Sequence, residues 1–477
     1  MPVLVIRMKE EDSERQAAET PKHGTRTFLI ALIMPRVAYV INMSVFAVAL
    51  PAIRHDFGVP NDVLSWFRTI YSLALIIFMP IYGSLGDRVG KRKVFLWAIA
   101  VFIFGTVTIL VAPSFALNLI GRALQGAGSA GIMTLGLGII SEIYPTADLG
   151  KNLGRWNFAA PLTGVVTILL AGVLVDALGW RTVLILPIAF GLLALFNARK
   201  RVSVAVPPVA ESNSGLGILK NIDWVGVALL SAAMTSLVFY IYSRMITGTA
   251  SLRDWRLLAV TITLFVVLYF WERRNAAPFL DLKMFTNRLF TVASLSALIR
   301  MFSVSGFGLL VPLYLTDIWE LRASLIGFII VVRAATMLAT VRLGGQLADR
   351  WGSRLPVTIG FLVQTVSVIY MALFGNREPW SLVFIGLALN GLGSGLSISA
   401  LDRAAMVQIS KKRVGIAAGM YSMIRMVGAV LGASLAGVLL QQGLDSGLAV
   451  LAAYRVVFWA ISGIGLLGVA SGLTMRK

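Results

Sequence analysis

The sequence lacks the residues that build disulfides and most metal sites. It contains no cysteine and two histidines in 477 residues, His23 and His55. Disulfides, thiolate metal sites and cysteine nucleophiles are therefore excluded. Neither histidine lies in an apolar run, so we expect no metal site and no cofactor. The sequence also shows no nucleophile–base pattern and no nucleotide-binding loop, so we do not expect an enzyme.

Charged residues are scarce as well. They make up 13% of the chain, whereas 58% of its residues are hydrophobic. A soluble domain carries about 25% charged residues, so most of this chain faces something other than water. The formal net charge is +20, but the basic residues lie in short loops between long apolar runs. This distribution argues against binding of nucleic acid.

The apolar runs predict membrane-spanning helices, because a span needs about 20 apolar residues. Most of the lysines and arginines lie in the loops that share a side with both termini, which predicts that both termini are cytoplasmic. We expect a protein integral to the plasma (cytoplasmic, or inner) membrane. The fourteen predicted runs cover residues 27–50, 62–85, 93–112, 116–139, 152–175, 180–198, 222–243, 254–271, 290–315, 322–345, 355–375, 380–401, 414–440 and 454–475.

A repeat divides these helices into two halves. The loop after helix 2 reads Gly83-Ser-Leu-Gly-Asp-Arg-Val-Gly90, and the loop after helix 10 reads Gly345-Gln-Leu-Ala-Asp-Arg-Trp-Gly352. Helix 4 contains Leu-Gln125-Gly, and helix 12 contains Leu-Asn390-Gly at nearly the same separation. Matched motifs in corresponding helices predict two homologous six-helix halves, with helices 7 and 8 between them.

The predicted organisation follows from this repeat. It consists of a cytoplasmic tail (1–26), an N-terminal six-helix bundle (27–198), a cytoplasmic linker (199–221), an inserted two-helix hairpin (222–271), a second linker (272–289) and a C-terminal six-helix bundle (290–477).

Further motifs carry a family resemblance. Ala49-Leu-Pro follows helix 1, Trp66-x-x-Thr-x-Tyr lies in helix 2, and Arg122-x-x-Gln-Gly lies in helix 4. With the doubled loop motif, the chain resembles the 14-helix drug:proton antiporter-2 branch of the major facilitator superfamily. The resemblance implies an all-α integral membrane fold of two pseudo-symmetric six-helix bundles plus two extra helices. It also implies gradient-driven transport, with helices 1, 4, 9 and 12 around a central cavity.

The loop motif predicts a gate on the cytoplasmic side. Gly83 and Gly90 permit tight turns, and Asp87 can accept hydrogen bonds from helix amides and a nearby arginine. The alternative is that these are solvated loop charges that only set the topology. The predicted gating residues are Gly83, Asp87, Arg88, Gly90, Arg92, Gly345, Asp349, Arg350 and Gly352.

The chain departs from the family at two points. Asn42 stands midway along helix 1, where the family has an acidic residue, and Trp156 replaces a glycine of the helix 5 motif. Acidic residues lie in tails, in loops or near helix ends, so no mid-membrane proton relay is visible. Both departures weaken the antiport assignment and leave the fold assignment intact.

Arginines, by contrast, lie deep in the predicted helices. Arg36 and Arg300 occupy equivalent positions of the two halves, and a central arginine costs about 2.5–3.5 kcal/mol to insert. With no carboxylate expected at that depth, water and an anionic ligand are the available partners. The alternative is bonding to helix carbonyls or snorkelling, which weighs equally for Arg68 and Arg122, whereas Arg342 is expected to be an interface anchor. The predicted substrate-binding residues are Arg36, Asn42, Arg122, Arg300, Arg333 and Arg425.

Two functions remain open. The first is an alternating-access exporter of an anionic or amphiphilic acidic small molecule or lipid, because guanidinium groups suit carboxylates and phosphates. The second is a proton-coupled multidrug efflux antiporter for lipophilic drugs, which the family resemblance implies. The expected partners are the small-molecule or lipid substrate, a coupling proton in the second case, and membrane lipids. We expect a monomer.

Overall fold

The computed structural model describes residues 25–143, 146–202, 223–275, 280, 282–373, 379–409 and 414–475. The predicted cytoplasmic tail and most of the first linker lie outside these residues. The described part is helical throughout, and the helices are α1 Thr25–Phe57, α2 Asn61–Leu85, α3 Lys91–Val111, α4 Phe115–Ile143, α5 Thr146–Leu178, α6 Ile185–Arg201, α7 Trp224–Ile241, α8 Trp255–Arg274, α9 Arg288–Trp319, α10 Ala323–Trp351, α11 Arg354–Leu373, α12 Val383–Met406, α13 Val414–Asp445 and α14 Val450–Thr474.

Each of the fourteen predicted runs coincides with one of these helices. In the described residues, thirteen helices are long and apolar enough to cross a membrane, counting α6 with the one-turn helix before it. The apolar part of α5 is shorter and covers Leu162–Leu178. The prediction of an all-α membrane fold is confirmed.

The two halves use the same close helix packing. A Cβ added at Gly126 in α4 would overlap the carbonyl oxygen of Tyr71 in α2. A Cβ added at Gly391 in α12 would overlap the carbonyl oxygen of Arg333 in α10 in the same way. Small residues let membrane helices approach closely, and the matched glycines place α4 and α12 equivalently in their halves.

The loop motifs end α2 and α10 at the same membrane surface, which we call the motif face. A single π-helical turn, Gly86–Gly90, follows α2, and Gly90 has a φ of 102°. Gly352, which follows α10, has a φ of 80°. A side chain is strained at such angles, so both positions require glycine.

The first glycine of each motif plays a different part from the predicted one. Gly83 lies inside α2 and Gly345 inside α10, so the prediction of a turn at Gly83 is wrong. An added Cβ at Gly83 would lie 3.7 Å from Thr134 in α4, and one at Gly345 would lie 3.5 Å from Ser399 in α12. These glycines thus lie where α2 meets α4 and where α10 meets α12.

The halves are bonded together near the opposite membrane surface, which we call the closed face. Arg54, near the end of α1, donates to both carboxylate oxygens of Asp317, near the end of α9. Tyr454 of α14 donates to the same carboxylate at 2.7 Å. The side-chain oxygen of Asn61 accepts from Arg54 at 3.0 Å, and the backbone N–H of Asn61 donates to Gln441 Oε1 of α13 at 2.9 Å.

A second set of hydrogen bonds crosses the interface between the two halves, which we call the seam. It joins α5 to α10 at the closed face. The carboxylate of Asp176 accepts from the amides of Ala323 and Ser324 at 2.9 and 2.8 Å. These amides lie in the first turn of α10, where backbone donors have no partner within the helix. Gly172, one turn earlier in α5, lies so close that a Cβ would be 2.6 Å from the carbonyl oxygen of Ala323.

Candidate substrate pathway between the halves

Arg122 is held inside the N-terminal half. Its Nε donates to the carbonyl oxygen of Phe67 at 3.0 Å, and Nη1 donates to Gln125 at 2.8 Å. The guanidinium carbon also lies 4.4–4.7 Å from the ring centres of Phe46, Phe67 and Tyr71. The residue is 1% exposed. Carbonyl, amide and aromatic groups of the protein replace water around Arg122. Of the two interpretations given for Arg122, bonding within the protein therefore describes it.

Asn42 belongs to the same buried network. Its amide nitrogen donates to Gln125 Oε1 at 3.3 Å, and Gln125 Nε2 donates back to Asn42 Oδ1 at 2.9 Å. Gln125 also donates to Thr106 at 2.9 Å. Asn42 is fully buried. It was predicted to be a polar neighbour of the bound cargo beside Arg36, but it is a core residue of the N-terminal half.

Two arginines bond to partners of the C-terminal half. Arg333 Nε donates to Asn390 Oδ1 at 2.9 Å, and Asn390 occupies in α12 the position that Gln125 occupies in α4. Arg68 of α2 crosses the seam and donates to the carbonyl oxygen of Ser305 in α9 at 3.1 Å. Each half therefore uses one buried amide of the α4 or α12 motif to hold an arginine.

Arg36 and Arg300 are almost completely buried. Arg36 is 9% exposed, and its guanidinium lies 4.7 Å from the ring centre of Trp156. Arg300 is 3% exposed and donates to Ser394 over 3.4 Å. Within the described ranges, the Nε of Arg300 has no hydrogen-bond partner. The predicted pair was expected to face a water-filled cavity, whereas both side chains are enclosed by protein in this conformation.

Arg425 of α13 is the common neighbour of these two arginines. Its charge acts on Arg36 from across the seam and on Arg300 from the same half. Its side chain is 23% exposed and lies 4.0 Å from Asp402. The expectation that no carboxylate reaches the deep arginines is therefore wrong for Arg425. Asp402 lies about one turn before the end of α12, and α13 passes beside it.

Together, six arginines form an array that crosses from one half to the other. Each lies near enough to the next for their charges to interact, and three belong to each half. In order they are Arg36, Arg425, Arg300, Arg333, Arg68 and Arg122. Arg425 forms an ion pair with Asp402. We call this set the arginine array.

The predicted gating residues lie at the motif face, apart from the array. Asp349 accepts from Arg403 Nε at 2.8 Å, which links α10 to α12 inside the C-terminal half. Arg92 donates to the carbonyl oxygen of Arg199 at 2.7 Å, which links α3 to α6 inside the N-terminal half. Arg350 is exposed. The side chains of Asp87 and Arg88 lie outside the description.

The ion pairs at the closed face were not predicted from the sequence. Arg54 and Asp317 are separated by 263 positions, and neither lies in a motif that names its partner. The same holds for Arg244, beyond α7, which forms an ion pair with Asp445 at the end of α13. Opposite charges at the ends of helices 1 and 9 were the available signal, but such charges are common at membrane surfaces.

Curated proteins of similar sequence are membrane transporters. The chain is 29% identical to the multidrug resistance protein Stp of Mycobacterium tuberculosis, over 84% of this chain and 73% of that one. It is 24% identical to YvkA, an uncharacterized MFS-type transporter of Bacillus subtilis, over 94% of this chain and 96% of that one.

A solved structure shares the fold. A bacterial homologue of the human lysosomal transporter Spinster, crystallised in an inward-facing and unoccupied conformation, superposes with a TM-score of 0.65 at 14% identity. The match covers 94% of this chain and 97% of that one. The family model of the Major Facilitator Superfamily matches residues 36–280 and 293–476, nearly the whole chain. The chain therefore belongs to the Major Facilitator Superfamily of membrane transporters.

Proposed function

We propose that this transporter exports an anionic or amphiphilic acidic small molecule or lipid, driven by a gradient. The arginine array carries this proposal. Arg36, Arg300 and Arg425 bring three guanidinium groups together across the seam through which cargo passes in an alternating-access mechanism, and Asp402 pairs with Arg425.

The energetic argument concerns the cost of burying these positive charges. Each central arginine costs about 2.5–3.5 kcal/mol to insert, which an anionic ligand can offset and a cationic one cannot. The planar guanidinium of Arg36 matches a carboxylate or phosphate in a bidentate manner. Trp156 under Arg36 and Tyr421 near Arg425 would contact the apolar part of an amphiphilic acid. Arg36, Arg300 and Arg425 are the residues that we assign to the anion.

The transport cycle follows from the predicted orientation. With both termini in the cytoplasm, the closed face is the outer face, and the motif face is the cytoplasmic face. The ion pair between Arg54 and Asp317 then closes the outer side. In the opposite state, Asp87 and Asp349 of the loop motifs close the cytoplasmic side. We also propose that the protein is a monomer in the plasma membrane. Within the superfamily, we assign it to the 14-helix drug:proton antiporter-2 branch.

Transport by purified protein in liposomes tests the cargo. We expect movement of amphiphilic carboxylates or phosphates and none of lipophilic cations. Arg36→Lys keeps the charge but loses the bidentate fork, so its apparent affinity should fall about tenfold. Arg342→Lys is the matched control, an exposed arginine of α10 outside the array, and should transport like the wild type.

Transport of lipophilic cations would be the contrary result. If the protein exports them, and a variant carrying Arg36→Ala and Arg300→Ala does so undiminished, the proposal of an anionic cargo is refuted.

The second candidate is a proton-coupled multidrug efflux antiporter. The similarity to Stp favours it, and Asp402 beside Arg425 supplies a carboxylate that could exchange a proton. In that case a pH gradient drives efflux of lipophilic drugs, and Asp402→Asn uncouples efflux from the gradient. Unaltered pH dependence in Asp402→Asn would count against this candidate.

A further inference from the structure

A pocket opens at the motif face, away from the arginine array. Its volume is about 350 Å³, and it lies between the start of α9, the segment after α12 and the end of α14. All three elements belong to the C-terminal half. The pocket is therefore separate from the seam between the halves.

The lining of this pocket divides into a polar and an apolar part. Asn287, Arg288, Gln408 and Thr474 supply the polar groups, and Leu289, Val292 and Met475 supply the apolar ones. Arg288 and Gln408 are exposed, and in the described residues no hydrogen bond or ion pair of either side chain is formed. A cation and an amide thus stand free beside apolar side chains at the level where helices leave the membrane.

The sequence next to the pocket-lining residues is basic. Lys411, Lys412 and Arg413 follow Gln408 closely in the sequence, and Arg476 and Lys477 follow Met475 directly.

We propose that this pocket binds the phosphate-bearing headgroup of an anionic phospholipid from the adjacent leaflet. Arg288 pairs with the phosphate, Gln408 and Thr474 bond the headgroup, and Leu289, Val292 and Met475 contact the start of the acyl chains. Basic pockets between membrane helices attract anionic lipids, and each lysine or arginine near the surface adds about 1 kcal/mol. A volume of about 350 Å³ suits a headgroup and the first acyl carbons, but not a whole lipid.

The experiment counts lipids bound to the purified full-length protein. We would reconstitute it in nanodiscs of phosphatidylcholine with a small fraction of phosphatidylglycerol and measure retained phosphatidylglycerol by native mass spectrometry. Arg288→Gln should weaken its binding about fivefold. Arg199→Gln, which removes an exposed arginine from the motif face of the other half, should leave binding unchanged.

Two further experiments distinguish a lipid phosphate from free inorganic phosphate and control for misfolding of the variants. Inorganic phosphate alone should neither displace phosphatidylglycerol nor raise the melting temperature in phosphatidylcholine nanodiscs. Leu289→Trp, which fills the pocket without changing charge, should also lower retention, with folding checked by the melting temperature in detergent. Equal losses in Arg288→Gln and Arg199→Gln, or full displacement by inorganic phosphate, would overturn the proposal.

Discussion

At the scale of single residues, the buried amide of Gln125 organises the N-terminal half. It exchanges two hydrogen bonds with Asn42, accepts from Arg122 and donates to Thr106. A buried polar group that loses its partner costs about 1–3 kcal/mol. Asn42 is therefore needed for the network whatever the cargo is.

We expect Asn42→Leu to lower the stability of the protein by about 1–3 kcal/mol, because the amide of Gln125 loses a partner that no water replaces. The measurement is the apparent midpoint of thermal unfolding in detergent. Asn197→Leu is the control, since Asn197 bonds to a backbone carbonyl on the exposed surface of α6. Equal midpoints for the two variants would show that the amide pair contributes nothing.

At the scale of elements, the inserted hairpin of α7 and α8 contacts both halves. The hydroxyl of Tyr242, directly after α7, lies 2.6 Å from that of Ser65 and 3.1 Å from that of Thr69 in α2. Thr69 in turn bonds Ser434 of α13 at 2.8 Å, and Arg244 pairs with Asp445. The hairpin thus lies across the seam between α2 and α13 near the closed face.

We expect Tyr242→Phe to loosen this seam, because the hydroxyls of Ser65 and Thr69 lose a shared partner. The wild type has no cysteine, so Ser434→Cys gives a single site for maleimide labelling. Labelling should become about fivefold faster with Tyr242→Phe, which corresponds to about 1 kcal/mol. Tyr269→Phe alters an exposed tyrosine of α8 and should not change the rate. Identical rates in all backgrounds would show that the Tyr242 hydroxyl does not hold this seam closed.

At the scale of the whole molecule, the polar bonds that join the halves in the described residues lie mainly at the closed face. Arg54 with Asp317 joins α1 to α9, and Asp176 joins α5 to α10. The contact of Asp349 with Arg403 at the motif face stays within one half. An alternating-access cycle requires that such bonds break at one face when the other closes.

Two substitutions should move the conformational equilibrium in opposite directions. Arg54→Ala removes the closed-face ion pair and should favour opening of that face by about 1–3 kcal/mol. Asp349→Asn removes a carboxylate that we propose closes the motif face in the opposite state, so it should favour the state with the closed face shut. Loss of a bond that one state alone contains shifts the population towards the other.

Distances between spin labels on the two halves measure this equilibrium. One pair is Leu178→Cys with Val450→Cys at the closed face, and the other is Val89→Cys with Val407→Cys at the motif face. Each position is exposed. A shift in the same direction for Arg54→Ala and Asp349→Asn, or no shift in either, would contradict the assigned roles.

The sequence by itself determined the membrane fold and the family. Fourteen apolar runs placed the helix ends to within about seven residues, because hydropathy and helix length are local properties of the chain. The glycines of the α4 and α12 motifs are part of the sequence repeat, and each lies where a neighbouring backbone approaches closely.

Only the tertiary structure decided which polar residues meet. Arg425 is the common neighbour of Arg36 and Arg300. Asn42 bonds to Gln125 instead of facing the seam, and Arg54 pairs with Asp317. These pairings depend on the rotation and crossing of helices far apart in the sequence. A run of apolar residues fixes that a helix spans the membrane, but not which neighbour each of its side chains faces.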